Sequence, residues 1–268
     1  MKNTRKITVP ALLEKKQEGR KIACLTAYDF ALASLLDKAG VDLILVGDSG
    51  AMVAAGCKTT LPATMEQMVL YTQSVARGVA NALIVADMPF LSYQASQRDA
   101  VLNAGRFIKE GGADAVKLEG GRHIVDIVRY LVQCGIPVMG HLGLTPQSVK
   151  SFGGYGLRGA GADEAEKIRN DAIALQDAGV FSIVLEKIPA DLAEDISRIL
   201  EIPTIGIGAG PSCDGQILVT HDILGLFEAF TPKFARRYAE LAGIITEAVE
   251  RYCSDVKQGS FPSNKESY

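Results

Sequence analysis

Short β-branched or aliphatic runs recur eight times along the chain, at residues 22–29, 41–49, 82–90, 113–121, 136–143, 181–189, 202–210 and 216–222. No other feature narrows the choice of fold as far. The runs are continuously apolar rather than alternating, which suits strands buried on both faces of a parallel sheet. Between most of them lie stretches of helical period: 30–39, 65–77, 98–110, 124–133, 164–178 and 190–200. Gly40, Gly78 and Gly111 stand where a helix C-cap prefers glycine. Strand, helix, strand, repeated to eight, predicts a single-domain α/β fold, the (β/α)8 TIM barrel. The 268 residues match such a barrel in length. A doubly wound open sheet is the alternative. Polar residues at so many strand ends favour closure. The gap between strands seven and eight is too short for a full helix. An N-terminal helix is expected at about residues 8–19. The polar stretch 254–268 shows no periodicity and is expected to be loose, so residues 1–268 read as one domain.

Composition excludes several classes. Lys and Arg number 28 against 31 Asp and Glu, a formal charge of −3, which argues against a nucleic-acid binder. The longest span free of Asp, Glu, Lys and Arg, residues 130–149, holds Pro137, His141 and Pro146 and is no membrane helix. The opening MKNTRKITVP lacks the apolar core of a secretory signal. Cys24, Cys57, Cys134, Cys213 and Cys253 form no close pair, which suits reduced thiols in the cytoplasm.

In a barrel, chemistry sits at the C-terminal strand ends. Those ends carry Asp29, Asp48 with Ser49, Asp87, Lys117 with Glu119, His141, Glu186, and His221 with Asp222. One acid after an apolar strand is an ordinary helix cap. Polar endings on seven of eight strands are harder to explain that way. Alternation puts Lys117 and Glu119 on one face, Leu83, Val85 and Asp87 on another, and Ile44, Val46 and Asp48 on a third. Asp48, Asp87 and Glu119 are therefore expected to converge inside the mouth. Close carboxylates repel unless a cation or a proton intervenes. An all-oxygen donor set reads as Mg²⁺. Against this, one or two of the acids could be helix caps or partners of Lys117. With His141 as a ligand, Zn²⁺, Co²⁺ or Mn²⁺ would also fit; otherwise His141 orients substrate by hydrogen bonding. Lys117 reads either as a Schiff-base nucleophile or as a lasting charge that neutralises a substrate carboxylate. Glu186 reads either as a base at the mouth or as a surface partner of Lys187 or Arg198. Gly206, Gly208 and Gly210 suit an anion cradle or a close backbone approach. The glycines at 153, 154, 156, 159 and 161 suit a lid or a plain surface loop.

The same strand ends carry a set of words in order: Ala27-Tyr28-Asp29, Val46-Gly47-Asp48-Ser49, Ala86-Asp87-Met88-Pro89-Phe90, Val116-Lys117-Leu118-Glu119-Gly120-Gly121, and Gly140-His141-Leu142-Gly143-Leu144-Thr145-Pro146-Gln147-Ser148. Leu185-Glu186, Gly206-Ile207-Gly208-Ala209-Gly210 and Asp214-Gly215-Gln216-Ile217-Leu218-Val219 follow. With these the chain resembles the ketopantoate hydroxymethyltransferase family from about residue 3 to about residue 260. The words around His141 are highly specific, and the Gly206 stretch is not. The resemblance implies a (β/α)8 barrel at the start of pantothenate and coenzyme A synthesis. It implies transfer of a hydroxymethyl group from 5,10-methylenetetrahydrofolate to 3-methyl-2-oxobutanoate, by Mg²⁺-assisted enolate formation and aldol-type addition. Carried over by motif, Asp48 and Asp87 are direct ligands of one Mg²⁺ per subunit. Glu119 joins the metal site directly or through water. Ser49 and Lys117 meet the substrate carboxylate, Glu186 accepts the proton, and His141 is a polar group on the substrate side. A cytoplasmic homodecamer is implied as well. Gly156-Leu157-Arg158 departs from the Lys-Val-Gln-like stretch usual in the family, which bears on the lid and not on the strand ends. The rival readings are a Mg²⁺ barrel acting on 2-oxo acids as a lyase or phosphoenolpyruvate-type mutase, a Lys117 Schiff-base aldolase, and a binding barrel without turnover.

Overall fold

The computed structural model describes residues 6–227 and 232–268; residues 1–5 of the N-terminal stretch read above lie outside them. The strands are β1 Ile22–Thr26, β2 Leu43–Val46, β3 Leu83–Asp87, β4 Ala115–Glu119, β5 Val138–Gly143, β6 Ser182–Glu186, β7 Thr204–Ile207 and β8 Gly215–Leu218. Each pairs in parallel with the next, and β8 pairs back onto β1, closing the barrel. The helices are α1 Val9–Gln17, α2 Phe30–Ala39, α3 Gly50–Val53, α4 Met65–Gly78, α5 Gln97–Arg106, α6 Val125–Gln133, α7 Val149–Phe152, α8 Ala162–Ala178, α9 Ala190–Ile199, α10 Thr220–Ile223 and α11 Leu241–Gln258. Met1–Val219 and Thr220–Tyr268 are two compact units, and all eight strands lie in the first.

Local chemistry sets the element ends. Thr64 accepts from the Gln67 amide while the Gln67 side chain accepts from the Thr64 amide, a reciprocal cap that starts α4. Asp29 does not belong to β1, which stops at Thr26; it caps α2, accepting from the Leu32 amide at 2.9 Å. The expected helix 98–110 is realised as α5 followed by a wider π turn, Phe107–Gly111.

Two buried clusters divide the barrel unit. One gathers alternate residues of all eight strands, among them Ile22, Leu43, Leu45, Leu83, Val85, Ala115, Met139, Val184, Ile205 and Ile217, with Leu12 of α1. This is the barrel interior, and α1 plugs its N-terminal end. The other joins the opposite strand faces, including Ile44, Val46, Ile84 and Leu118, to helix residues such as Ala33, Met68 and Ala172. Ile44 and Val46 therefore face the helices. The expectation that Asp48 shares an inward face with them is corrected: β2 ends at Val46, and Asp48 turns into the mouth from the bend beyond it.

Two expectations fail in Thr220–Tyr268. His221 and Asp222 lie in α10, not at the end of β8, which stops at Leu218. Residues 254–258 belong to α11, and Gly259 closes that helix at φ 71°. Ile244, Ile245, Val249, Tyr252 and Val256 keep a helical spacing that runs past Ser254, so the tail begins at Gly259.

Candidate active site

Three carboxylates meet where β2, β3 and β4 end. One ligand oxygen from each of Asp48, Asp87 and Glu119 lies within 4.8 Å of the others. All three are buried, at 4%, 2% and 5% exposure, as are Lys117 at 3% and His141 at 3%. Parity delivers Asp87, Lys117 and Glu119, since they stand two and four residues beyond inward-facing Val85 and Ala115. Asp48 is brought in by its turn, and its amide donates to Asp87 Oδ2 at 3.2 Å.

Lys117 Nζ lies 2.8 Å from Asp87 Oδ1 and 3.5 Å from Glu119 Oε1. Burial works against its charge, but Asp87, Glu119 and Asp48 outweigh burial and hold the ammonium above the ordinary lysine value. Burial, then repulsion from Asp87 and Glu119, pushes Asp48 well above the usual carboxylate range. Asp87 is pushed up by burial and by Glu119, against the pull of Lys117. Glu119 goes the other way: burial is overcome by Lys117, by His141 and by the Gln147 amide.

His141 bridges the cluster to β6. Its Nδ1 is 3.3 Å from Glu119 Oε1, and its Nε2 is 3.2 Å from Glu186 Oε2 without an aligned hydrogen bond. Burial and Lys117 oppose protonation, yet Glu119 and Glu186 prevail and the imidazole is pushed up to about 9. Lys117 Nζ also lies 3.2 Å from His141 Nδ1. With the ring protonated, Nδ1–H faces Glu119, and the approach of the two cations is offset by the carboxylate they share.

Glu186 is only partly buried and closes the far side of the mouth. Its backbone is fixed by β5. Gly143 sits at φ 88°, and a Cβ there would stand 2.2 Å from the Glu186 carbonyl oxygen. Ser49 Oγ meets the Tyr28 hydroxyl at 2.8 Å rather than joining the carboxylates. Gly206 and Gly210 serve close packing of the chain on itself. A Cβ on Gly210 would lie 2.5 Å from Ala190 Cβ, and one on Gly206 would lie 3.0 Å from Cys213 Sγ. The glycine-rich loop is tied down at Arg158, whose guanidinium pairs with Glu164 and whose amide donates to the Lys187 carbonyl at 3.0 Å.

Two residues at the centre have no expected role from sequence. Gln147 donates from its side chain to Asp48 and from its backbone to Glu119, and Tyr93 lies behind both. Gln147 stands inside a specific motif but is neither charged nor periodic, so only the motif pointed to it.

The residues present fit a divalent cation. The donors are all oxygen, and Asp48, Asp87, Glu119 and Glu186 against Lys117 and a protonated His141 leave a surplus of two formal negative charges. Asp87 Oδ1 is buried without an aligned hydrogen bond. Mg²⁺ takes such ligands together with waters and substrate oxygens.

A family model described as ketopantoate hydroxymethyltransferase matches residues 6–264. A 3-methyl-2-oxobutanoate hydroxymethyltransferase of Trichlorobacter lovleyi is 55% identical over 264 residues, covering 98% of this chain and 99% of that one. The protein of the same name from Moorella thermoacetica is 56% identical, covering 98% of each chain. Among solved structures, a phosphonopyruvate hydrolase superposes with a TM-score of 0.64 at 12% identity, covering 96% of this chain and 92% of that one. A 2,3-dimethylmalate lyase of the PEP mutase/isocitrate lyase superfamily superposes at 0.58 and 15% identity, covering 97% and 91%. These two share the fold.

Proposed function

The chain belongs to the ketopantoate hydroxymethyltransferase family, and we propose that it transfers the one-carbon unit of 5,10-methylenetetrahydrofolate, with one water, to 3-methyl-2-oxobutanoate as a hydroxymethyl group, giving 2-dehydropantoate, for pantothenate and coenzyme A synthesis, and releasing tetrahydrofolate. The observation that carries this reading is the buried trio Asp48, Asp87 and Glu119 around Lys117, in a chain matched to the family almost end to end.

Asp48 and Asp87 would hold one Mg²⁺ per subunit directly, and Glu119 directly or through water. Bound there, the ion would supply Lewis acidity toward the carbonyl of the 2-oxo acid. Lys117, kept charged by its acids, would neutralise the substrate carboxylate, with Ser49 as a second contact. A lasting ammonium suits that role better than a Schiff base, which needs the neutral amine. Glu186 would take the proton from C3. Its Oε2 already faces His141, so the other oxygen, Oε1, is the acceptor in this reading. His141 would keep that carboxylate oriented on the substrate side. Burial of the cluster excludes bulk water and strengthens each of these interactions.

A cytoplasmic homodecamer belongs to the same reading. The exposed apolar residues Ile244, Ile245, Val249 and Tyr252 of α11 support an assembly that covers them. All five cysteines are free, which supports a reducing compartment. No helix among the described residues is long and apolar enough to cross a membrane. The direct test is purified protein with 3-methyl-2-oxobutanoate, 5,10-methylenetetrahydrofolate and a panel of Mg²⁺, Mn²⁺, Co²⁺ and Zn²⁺. Mass detection of 2-dehydropantoate is expected with Mg²⁺. No product with any of the four metals would refute the reading.

A further inference from the structure

We infer that Gln147 is a positioning residue that sets the cation affinity of the carboxylate trio by fixing Asp48 and Glu119 together, with Tyr93 holding Gln147 in place. The inference rests on the metal-site reading above and assigns a role to two residues that the reading leaves without one.

The side-chain amide of Gln147 is saturated on both sides. Nε2 donates to Asp48 Oδ2 at 3.0 Å and to the Met88 carbonyl at 2.9 Å. Oε1 accepts from the Tyr93 hydroxyl at 3.1 Å and from Gln94 Nε2 at 3.3 Å. Flipping the amide would set its oxygen against a carboxylate and a carbonyl, so one orientation is imposed. The backbone amide of the same residue donates to Glu119 Oε2 at 2.9 Å. One residue therefore grips two carboxylates from two strand ends, the first through its side chain and the second through its main chain.

Tyr93 is the anchor behind it. Its ring is fully buried, and its hydroxyl accepts from the Glu119 amide at 3.1 Å. The same hydroxyl has one proton to share between the Glu119 carbonyl at 2.9 Å and Gln147 Oε1. Hydroxyl, amide and carboxylate form a closed chain of buried groups. Asp48 needs this most. No strand fixes its side chain, which sits in the turn beyond β2, and the Gln147 amide is the donor that holds its Oδ2. An uncharged donor is what the position requires, since a carboxylate there would face Asp48 and a cation would compete with the metal.

Outer partners of ligating side chains typically alter metal affinity by about 10–100-fold when removed. The test is Mn²⁺ titration of the whole protein without substrates, followed by electron paramagnetic resonance, alongside thermal melting. Gln147→Met, close in volume but unable to donate, should weaken Mn²⁺ by about 10–100-fold. Tyr93→Phe, which keeps the ring and removes the hydroxyl that accepts from the Glu119 amide and shares its proton between the Glu119 carbonyl and Gln147 Oε1, should weaken it by about fivefold. Ser182→Ala, which removes the hydrogen bond to the Pro203 carbonyl far from the trio, serves as the structural control and should leave Mn²⁺ affinity unchanged. If Gln147→Met does not fold, Tyr93→Phe decides alone. Folded variants that melt earlier yet bind Mn²⁺ like the wild type would reduce both residues to packing and overturn the inference. A wild-type protein that binds no Mn²⁺ would overturn the metal reading itself, and the inference with it.

Discussion

The two ends of the barrel both carry ion pairs, and they are built on opposite terms. At the N-terminal end, Lys6, Lys15 and Lys16 meet Asp114, Asp42 and Asp214, one cation to each acid. Each of these acids precedes a strand and also accepts a backbone amide, from Ile84, Ala23 and Thr204 respectively. Leu12 seals the space between them. At the mouth, three acids share one lysine, Asp87 Oδ1 lacks an aligned hydrogen bond, and the protonation of nearly every member is displaced. Matched charges hold a structure closed. Unmatched ones persist only where the surrounding fold fixes them, and a surplus of negative charge is what a cation can use.

The contrast can be broken by mutation, and the largest effect is expected at the mouth. Asp48→Ala should lose Mg²⁺ affinity and turnover together, by several kcal/mol or roughly 10³-fold. Calorimetry and product formation measure the two; wild-type values for both would remove Asp48 from the site. Next comes Lys117→Met, which leaves three buried acids with only His141, beside Glu119, as a cation. Metal-free stability should fall by about 3–5 kcal/mol, and added Mg²⁺ should restore a good part of it in a denaturation series.

A third effect is read through pH. His141 is raised from 6.5 to about 9 in the folded protein. Between those values the folded state holds a proton that the unfolded state has released, so stability falls as pH rises. The contribution is complete below 6.5 and lost through about 9. Denaturation of the metal-free protein on either side of that window should show the decline, and His141→Gln should flatten it. The smallest effect belongs to the other end. Lys16→Met should cost about 1–3 kcal/mol by stranding Asp214, with the catalytic rate unchanged. A matching loss of activity would erase the distinction between the two ends.

Much of this contrast can be read in the chain before it folds. The eight apolar runs carry the barrel, and parity along β3 and β4 carries Asp87, Lys117 and Glu119 inward. Parity misleads at Asp48, because the strand ends two residues earlier and a turn, not alternation, aims the side chain. Asp29, His221 and Asp222 show the same limit: a polar residue after an apolar run looks alike whether it lines a mouth, caps a helix or starts the next one. Gln147 is illegible for another reason. Its contact with Asp48 spans 99 positions and exists only once the barrel has closed, so the motif that holds the residue does not reveal its partner. The helix through Val256 is missed because its charged residues mask a spacing that begins well before the polar tail.

The central claim is that proton chemistry at the mouth runs through Glu186. It is tested most directly by deuterium exchange at C3 of 3-methyl-2-oxobutanoate, in D₂O with Mg²⁺ and without folate. The wild-type protein should catalyse the exchange, and Lys16→Met should match it. Glu186→Gln should lose it by roughly 10²–10⁴-fold while still binding the oxo acid. Undiminished exchange in Glu186→Gln would contradict the account and remove Glu186 as the base.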